Sequence, residues 1–154
     1  MLETGGKAPD VTLTDADEHP FSLSRHAGKR VVVYFYPKAD TPGCTNEAKD
    51  FTALAKEFAA AGVPVIGVSK DKPARLAKFR DKYGLGVTLA SDEDGSACEA
   101  FGTWVEKSLY GRVYMGIARA TFLIDADGTI LRVWPKVKVK GHAAEVLESV
   151  KALG

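Results

Sequence analysis

The chain has 154 residues, 45% of them hydrophobic, with no extended Pro, Ser or Gly tract, which suffices for one ordinary core and falls short of two, so one domain over residues 1–154 is expected. Its 21 basic and 20 acidic residues leave a net charge of +1, and no long-range field draws nucleic acid or an anionic membrane to it. No apolar run approaches the roughly 18 residues of a membrane span, and Met1 to Lys7 lack the pattern of a secretory leader, so the expected address is the cytosol.

In chain order, Val11 to Thr14, turn-formers from Asp15 to Glu18, and Pro20 to Leu23 predict a small N-terminal β-hairpin ahead of the main fold. Val31 to Tyr36 predicts a strand buried on both faces, ended by Pro37. Phe51, Leu54, Ala55 and Phe58 then follow helical spacing until Gly62. Val63 to Ser69 reads as a strand, Pro73 to Tyr83 as a helix, Val87 to Ala90 as a short strand and Ala97 to Phe101 as a short helix. Ala120 to Ile124 and Thr129 to Trp134 flank an Asp-Gly turn and predict an antiparallel pair. Lys136, Lys138 and Lys140 alternate with Val137 and Val139, which is strand spacing with a solvated edge. Ala143, Val146, Leu147, Val150 and Leu153 mark one face of a closing helix. This alternation is α/β, a central mixed β-sheet flanked by helices, and the late hairpin suits a thioredoxin-like fold.

Chemistry concentrates between the buried strand and the first helix. Thr41 and Pro42 read as an N-cap and a proline at the first helical position, which puts Cys44 in the first turn. There the backbone N–H groups lack acceptors and the helix dipole is positive, a setting that favours thiolate over thiol. Gly43, without a side chain, leaves the backbone beside the sulfur open to a substrate oxygen. A cysteine at a helix start is also an ordinary small buried residue, and spacing alone leaves both readings open.

Pro37, Thr41 and Cys44 match the Pro-x-x-x-Thr-x-x-Cys signature of the peroxiredoxins, and the string from Tyr34 to Lys38 and from Thr41 to Thr45 resembles the bacterioferritin comigratory protein, or peroxiredoxin Q, subfamily. Ala8-Pro9-Asp10, Gly67-Val68-Ser69, Ser91 to Gly95, Tyr110-Gly111, Arg119, Thr121 to Asp125 and Lys136 to His142 resemble it in the same order, nearly the whole chain. The resemblance implies a thiol-dependent peroxidase acting on hydrogen peroxide and organic hydroperoxides in antioxidant defence. Cys44 is then the nucleophile that becomes a sulfenic acid. Thr41, the Gly43 and Cys44 N–H groups and Arg119 stabilise the leaving oxygen, Pro37 shields the sulfur, and Glu47 orients a neighbouring donor. Against these stand plainer roles: Thr41 as a cap, Pro37 as a strand terminator, Arg119 as a surface ion pair.

The chain departs from many members at the resolving cysteine. The position five residues after Cys44 is Lys49, and Phe79-Arg80-Asp81, where others carry it, has none. Cys98 remains, and its spacing to Phe101 marks a packed helix face in preference to a resolving thiol. The expected mechanism therefore uses one cysteine and an external thiol, whether thioredoxin, glutaredoxin or a low-molecular-weight thiol. A two-cysteine route through Cys98 and a non-catalytic thioredoxin-fold redox or binding module are the alternatives; a disulfide reductase is disfavoured because Thr41 stands where a Cys-x-x-Cys pair needs its first cysteine. Trp104, Trp134 and Tyr110 are expected in the core or at its rim, the last two within reach of the pocket. His19, His26 and His142 show no ligand spacing and are assigned to the surface or to caps. No cofactor or metal is implied, and a monomer is expected.

Overall fold

Every residue from Val31 to Phe35 is buried in the computed structural model, which describes residues 1–154, because this run occupies the middle of a seven-stranded sheet. β1 (Thr12–Asp15) and β2 (Pro20–Ser22) form the predicted hairpin, followed by a 3-10 turn (Leu23–His26) and β3 (Val31–Phe35). α1 (Pro42–Ala53), α2 (Ala55–Ala60), β4 (Val65–Ser69), α3 (Pro73–Tyr83), β5 (Thr88–Ser91) and α4 (Ser96–Phe101) come next. β6 (Trp104–Leu109), β7 (Arg112–Ile117), β8 (Ala120–Ile124), β9 (Ile130–Trp134) and α5 (His142–Ala152) complete the chain. No helix is long and apolar enough to cross a membrane.

The sheet order is β2-β1-β5-β4-β3-β8-β9, with β3, β4 and β5 parallel and β1 and β8 antiparallel to their neighbours. The predicted α/β fold, a mixed sheet flanked by helices, is the observed one. The N-terminal hairpin is part of it and does not stand ahead of it, because β1 pairs with β5. Alternate residues of each strand feed two cores. Val32, Tyr34, Val65 and Leu89 pack with Phe51 and Phe58, with Leu76 and Phe79 of α3, and with Val146 and Leu147 of α5. Val31, Val33, Phe35 and Ile66 pack on the other face with Ala97, Cys98 and Phe101 of α4 and with the N-terminal hairpin.

Several expectations are corrected. The helix after Cys44 is broken at Leu54, whose N–H turns to the Phe51 carbonyl three residues back. Pro64 lacks an N–H, so β4 begins at Val65 and not Val63. Lys136 to Lys140 form no strand: Pro135 ends the β9 pairing and only the Val137 N–H reaches a neighbour, the Arg119 carbonyl. β6 and β7 form a separate two-stranded ribbon that the sequence reading did not contain. Tyr110, at its tip, is 99% exposed and does not reach the pocket. Trp134 is buried as expected. His142 is neither a surface residue nor a side-chain cap: it is buried, shares a 2.7 Å hydrogen bond with Thr121 and meets the rings of Phe51 and Trp134 edge-on. Burial pushes its pKa down to about 4, so it is neutral at neutral pH.

Candidate active site

Thr41 has extended backbone angles and its carbonyl accepts the Thr45 N–H at 2.8 Å, which starts α1 with Pro42 in the first turn. Cys44 therefore sits where the sequence places it, two residues inside the helix and 1% exposed. The N–H groups of Gly43 and Cys44 find no acceptor in the protein, so two donors are concentrated beside the sulfur. The Thr41 hydroxyl makes no cap. It donates to the Lys38 carbonyl at 2.8 Å, which commits its proton and leaves its oxygen as an acceptor.

Arg119, 75 residues downstream, points Nη2 at Cys44 Sγ from 3.4 Å, while Nη1 donates to Glu47 Oε1 at 2.8 Å. Its backbone is held on both sides, by the Ala118 N–H on the Thr103 carbonyl at 2.7 Å and by Val137 on its own carbonyl at 3.0 Å. Gly43 acquires a reason beyond substrate access: a Cβ there would stand 3.1 Å from Arg119 Nη2, so only glycine admits the guanidinium without displacement. Glu47 lies one turn after Cys44, is 1% exposed, and has no partner for Oε2. Burial pushes its carboxyl up to about 7 against the pull of Arg119. Cys44, Arg119, Glu47 and Gly43 thus converge, with Thr41 starting the helix that carries Cys44 and Pro37 half-buried two residues after β3.

The loop between Pro37 and Thr41 is tied to α3. Asp71 accepts the Ala39 N–H at 2.8 Å and the Ser69 hydroxyl at 2.7 Å, and Arg75 bonds the Ala39 carbonyl at 3.0 Å. Asp40, in the left-handed region at φ 62°, accepts from the Tyr83 hydroxyl at 2.6 Å and pairs with Lys82 at 3.0 Å. None of these braces was read from the sequence; the one available signal was Asp beside Thr-Pro, a residue type that tolerates positive φ. Tyr34 was also missed as a neighbour of the site. Its ring stacks on Phe51 at 4.7 Å and its hydroxyl, without a hydrogen-bond partner, lies where a Cβ on Gly67 would come within 2.6 Å.

Cys98 stands apart. It is fully buried in the core on the opposite face of the sheet from Cys44, its N–H donates to Asp92 at 2.8 Å, and burial followed by the Asp92 carboxylate pushes its thiol pKa well up. His19 is exposed, His26 is half-buried, and neither belongs to the site.

The chain matches the model of the AhpC/TSA family over residues 4–133. It is 49% identical over 146 residues to a putative peroxiredoxin bcp of Coxiella burnetii, covering 95% of this chain and 97% of that one. It is 45% identical over 150 residues to the peroxiredoxin Bcp of Bacillus subtilis, covering 97% and 96%. Its structure resembles that of the Xanthomonas campestris bacterioferritin comigratory protein, solved to explain that protein's alkyl peroxide reduction activity, with a TM-score of 0.90 and 42% identity over 99% of this chain and 97% of the other.

Proposed function

This chain belongs to the AhpC/TSA family of peroxiredoxins, thiol-dependent peroxidases that take a hydroperoxide and a thiol reductant, and from that membership we propose a one-cysteine mechanism centred on Cys44. The observation that carries it is the guanidinium of Arg119 at 3.4 Å from the Cys44 sulfur, at a helix start with two unpaired N–H donors. Cys44 thiolate attacks the nearer oxygen of the O–O bond. The S–O bond forms, the O–O bond breaks, and the leaving alkoxide takes one proton, so that thiolate, hydroperoxide and a proton become sulfenic acid and alcohol or water. Charge moves from sulfur to the departing oxygen, and preorganised donors that bridge both positions act mainly on that transition state. Arg119 and the Gly43 and Cys44 N–H groups are those donors. Thr41 serves as acceptor for the O–H of the incoming hydroperoxide, since its own proton is held by Lys38, while Pro37 keeps water from the sulfur.

Glu47 acts through Arg119, holding one arm of the fork so that the other meets the sulfur. Hydrogen peroxide and organic hydroperoxides are both substrates. The sulfenic acid is resolved by an external thiol, thioredoxin first among the candidates, because Cys98 faces the other core and is held there by burial. Cytosolic location, a monomer and one domain over residues 1–154 complete the reading. The test is intact mass after one equivalent of hydrogen peroxide, with a sulfenic-acid trap, on wild type, Cys44→Ser and Cys98→Ser. Trapping in wild type and Cys98→Ser, with none in Cys44→Ser, is expected. Loss of two hydrogens from wild type would make Cys98 the resolving thiol, and no reaction at all would leave a binding module.

A further inference from the structure

The ribbon of β6 and β7 pairs with no other strand of the fold. Leu109, Val113 and Met115 are each half exposed or more, beside Tyr110 and Tyr114, and Leu109, Tyr110, Arg112, Val113 and Tyr114 line a shallow hollow near its tip. A two-stranded ribbon is marginal in water, and the register puts Leu109 and Tyr114 on one face with Lys107 and Arg112 and puts Val113 and Met115 on the other, so apolar side chains are exposed on both faces and come together at the hollow of the tip, which marks a contact surface. Its base is buried at Ile117, and two residues further on Arg119 reaches the Cys44 sulfur, so the ribbon rises directly from the site.

Basic groups outnumber acidic ones on the ribbon itself. Lys107 and Arg112 share one face of the ribbon while its one acidic residue, Glu106, lies on the other, and exposed Lys136 and Lys138 flank Val137, whose N–H bonds the Arg119 carbonyl. Lys107 leans over Gly116, where a Cβ would stand 3.2 Å from its Cδ, and is half-buried. A second copy of this chain would bring the same basic charges against this face, whereas an acidic surface complements it. A small thiol has no use for an apolar ribbon of this extent.

We propose that the β6–β7 ribbon is the docking surface for the protein that reduces Cys44, a dithiol protein whose face around its reactive cysteine is acidic and partly apolar. This rests on the one-cysteine reading, under which each turnover needs an outside thiol at the sulfur. The docked thiolate attacks the Cys44 sulfenic sulfur, an S–S bond forms and, with one proton, water leaves. The second thiolate of the dithiol then attacks the docked protein's own sulfur in the mixed disulfide, which releases Cys44 as thiolate and carries away the dithiol as a disulfide. Arg112 and Val113 touch none of the reacting groups; they set encounter and residence.

The experiment starts from Cys44 sulfenic acid made with one equivalent of hydrogen peroxide, in wild type and in Arg112→Glu/Val113→Ser, a pair of exposed changes. Each is reduced in single turnover by dithiothreitol and by a reduced thioredoxin of net negative charge, at low and high salt. The variant is expected to form sulfenic acid and to react with dithiothreitol within twofold of wild type. With thioredoxin its rate constant falls at least tenfold, and the steep salt dependence of wild type flattens. Equal thioredoxin rates for the two proteins, or a wild type that thioredoxin reduces no faster than dithiothreitol does, would overturn the docking surface while leaving the peroxidase intact. Absence of sulfenic acid in wild type would instead remove the functional reading itself. A wild type that sediments as a dimer and a variant that sediments as a monomer would assign the ribbon to a second copy, and binding to phosphatidylglycerol vesicles that the variant loses would assign it to a membrane; either overturns the proposal.

Discussion

Replacing Glu47 by Gln removes one proton from the titration of the site and changes little else. The amide oxygen keeps the bond to Arg119 Nη1, and the amide nitrogen takes the place of an oxygen that has no partner. In wild type, burial raises the carboxyl from its ordinary 4.5 to about 7. The unfolded chain releases this proton near 4.5 while the folded chain keeps it to about 7, so the folded form binds more protons in that window. The stabilising contribution is complete below 4.5 and is lost as pH rises through about 7. At about 1.4 kcal/mol per pH unit, the loss amounts to about 3 kcal/mol. The Glu47→Gln variant has no such loss. Urea unfolding followed by tryptophan fluorescence is therefore expected to give the two proteins similar stabilities at pH 4.5 and the variant an advantage approaching that figure at pH 8. Parallel stability profiles across this range would refute the claim that burial raises the Glu47 carboxyl and that Arg119 offsets this only in part.

Three further outcomes follow from the same geometry. Arg119→Lys keeps the charge and loses the fork, and stopped-flow measurement of sulfenic acid formation is expected to show a fall of about 100-fold to 1,000-fold; a fall under fivefold would argue against a guanidinium at the reacting oxygens. Cys98→Ser replaces a buried sulfur with a smaller, more strongly hydrated hydroxyl beside Asp92 and Thr103 and is expected to cost about 1–3 kcal/mol in denaturant unfolding. Its peroxide step stays within twofold of wild type, and a loss of that step would contradict the separation of the two cysteines. Gly67→Ala places a Cβ 2.5 Å from Tyr34 Cζ, and overpacking of this kind costs about 1–3 kcal/mol. An unchanged melting temperature would show that the Tyr34 ring moves freely, and part of the loss should return when Tyr34 is shortened to Leu.

The position of Cys44 was legible because it depends on local rules: a buried β-branched run, a proline stop, and a proline one residue into the next helix. What surrounds the sulfur was less so. The ion pair of Glu47 and Arg119 joins residues 72 apart, and Asp40 meets Tyr83 across 43, distances over which no periodicity runs. The β6–β7 ribbon escaped because neither of its faces is continuously buried, so its residues show no clean alternation, and because its turn is built on Tyr110 at φ 51° and Gly111 at φ 77°. That conformation usually announces itself as Asn-Gly or Asp-Gly. His142 followed three exposed lysines in alternation and was read as surface, yet α5 turns its first residue onto Trp134 and Phe51.

The features that suit one-cysteine chemistry are mutually dependent. A resolving thiol within the chain would require the active-site loop or α3 to move, but here Asp71, Arg75, Tyr83 and Lys82 tie the two together through Ala39 and Asp40. Gly43 likewise lets the Arg119 guanidinium lie close over the first turn of α1, where a Cβ would stand 3.1 Å from Nη2, and that contact depends on the turn staying folded. Unwinding that turn would separate Cys44 from its donors at the step that restores the thiolate. A rigid site regenerated from outside avoids this conflict, and it transfers the demand for adaptability from the loop to a surface that can be met by another molecule. In this fold the one apolar, weakly supported element next to Arg119 is the β6–β7 ribbon. Under the proposed one-cysteine mechanism the sulfenic acid has no internal thiol to trap it, so the rate at which an external reductant arrives would decide whether Cys44 returns to thiolate or advances to sulfinic acid under excess peroxide.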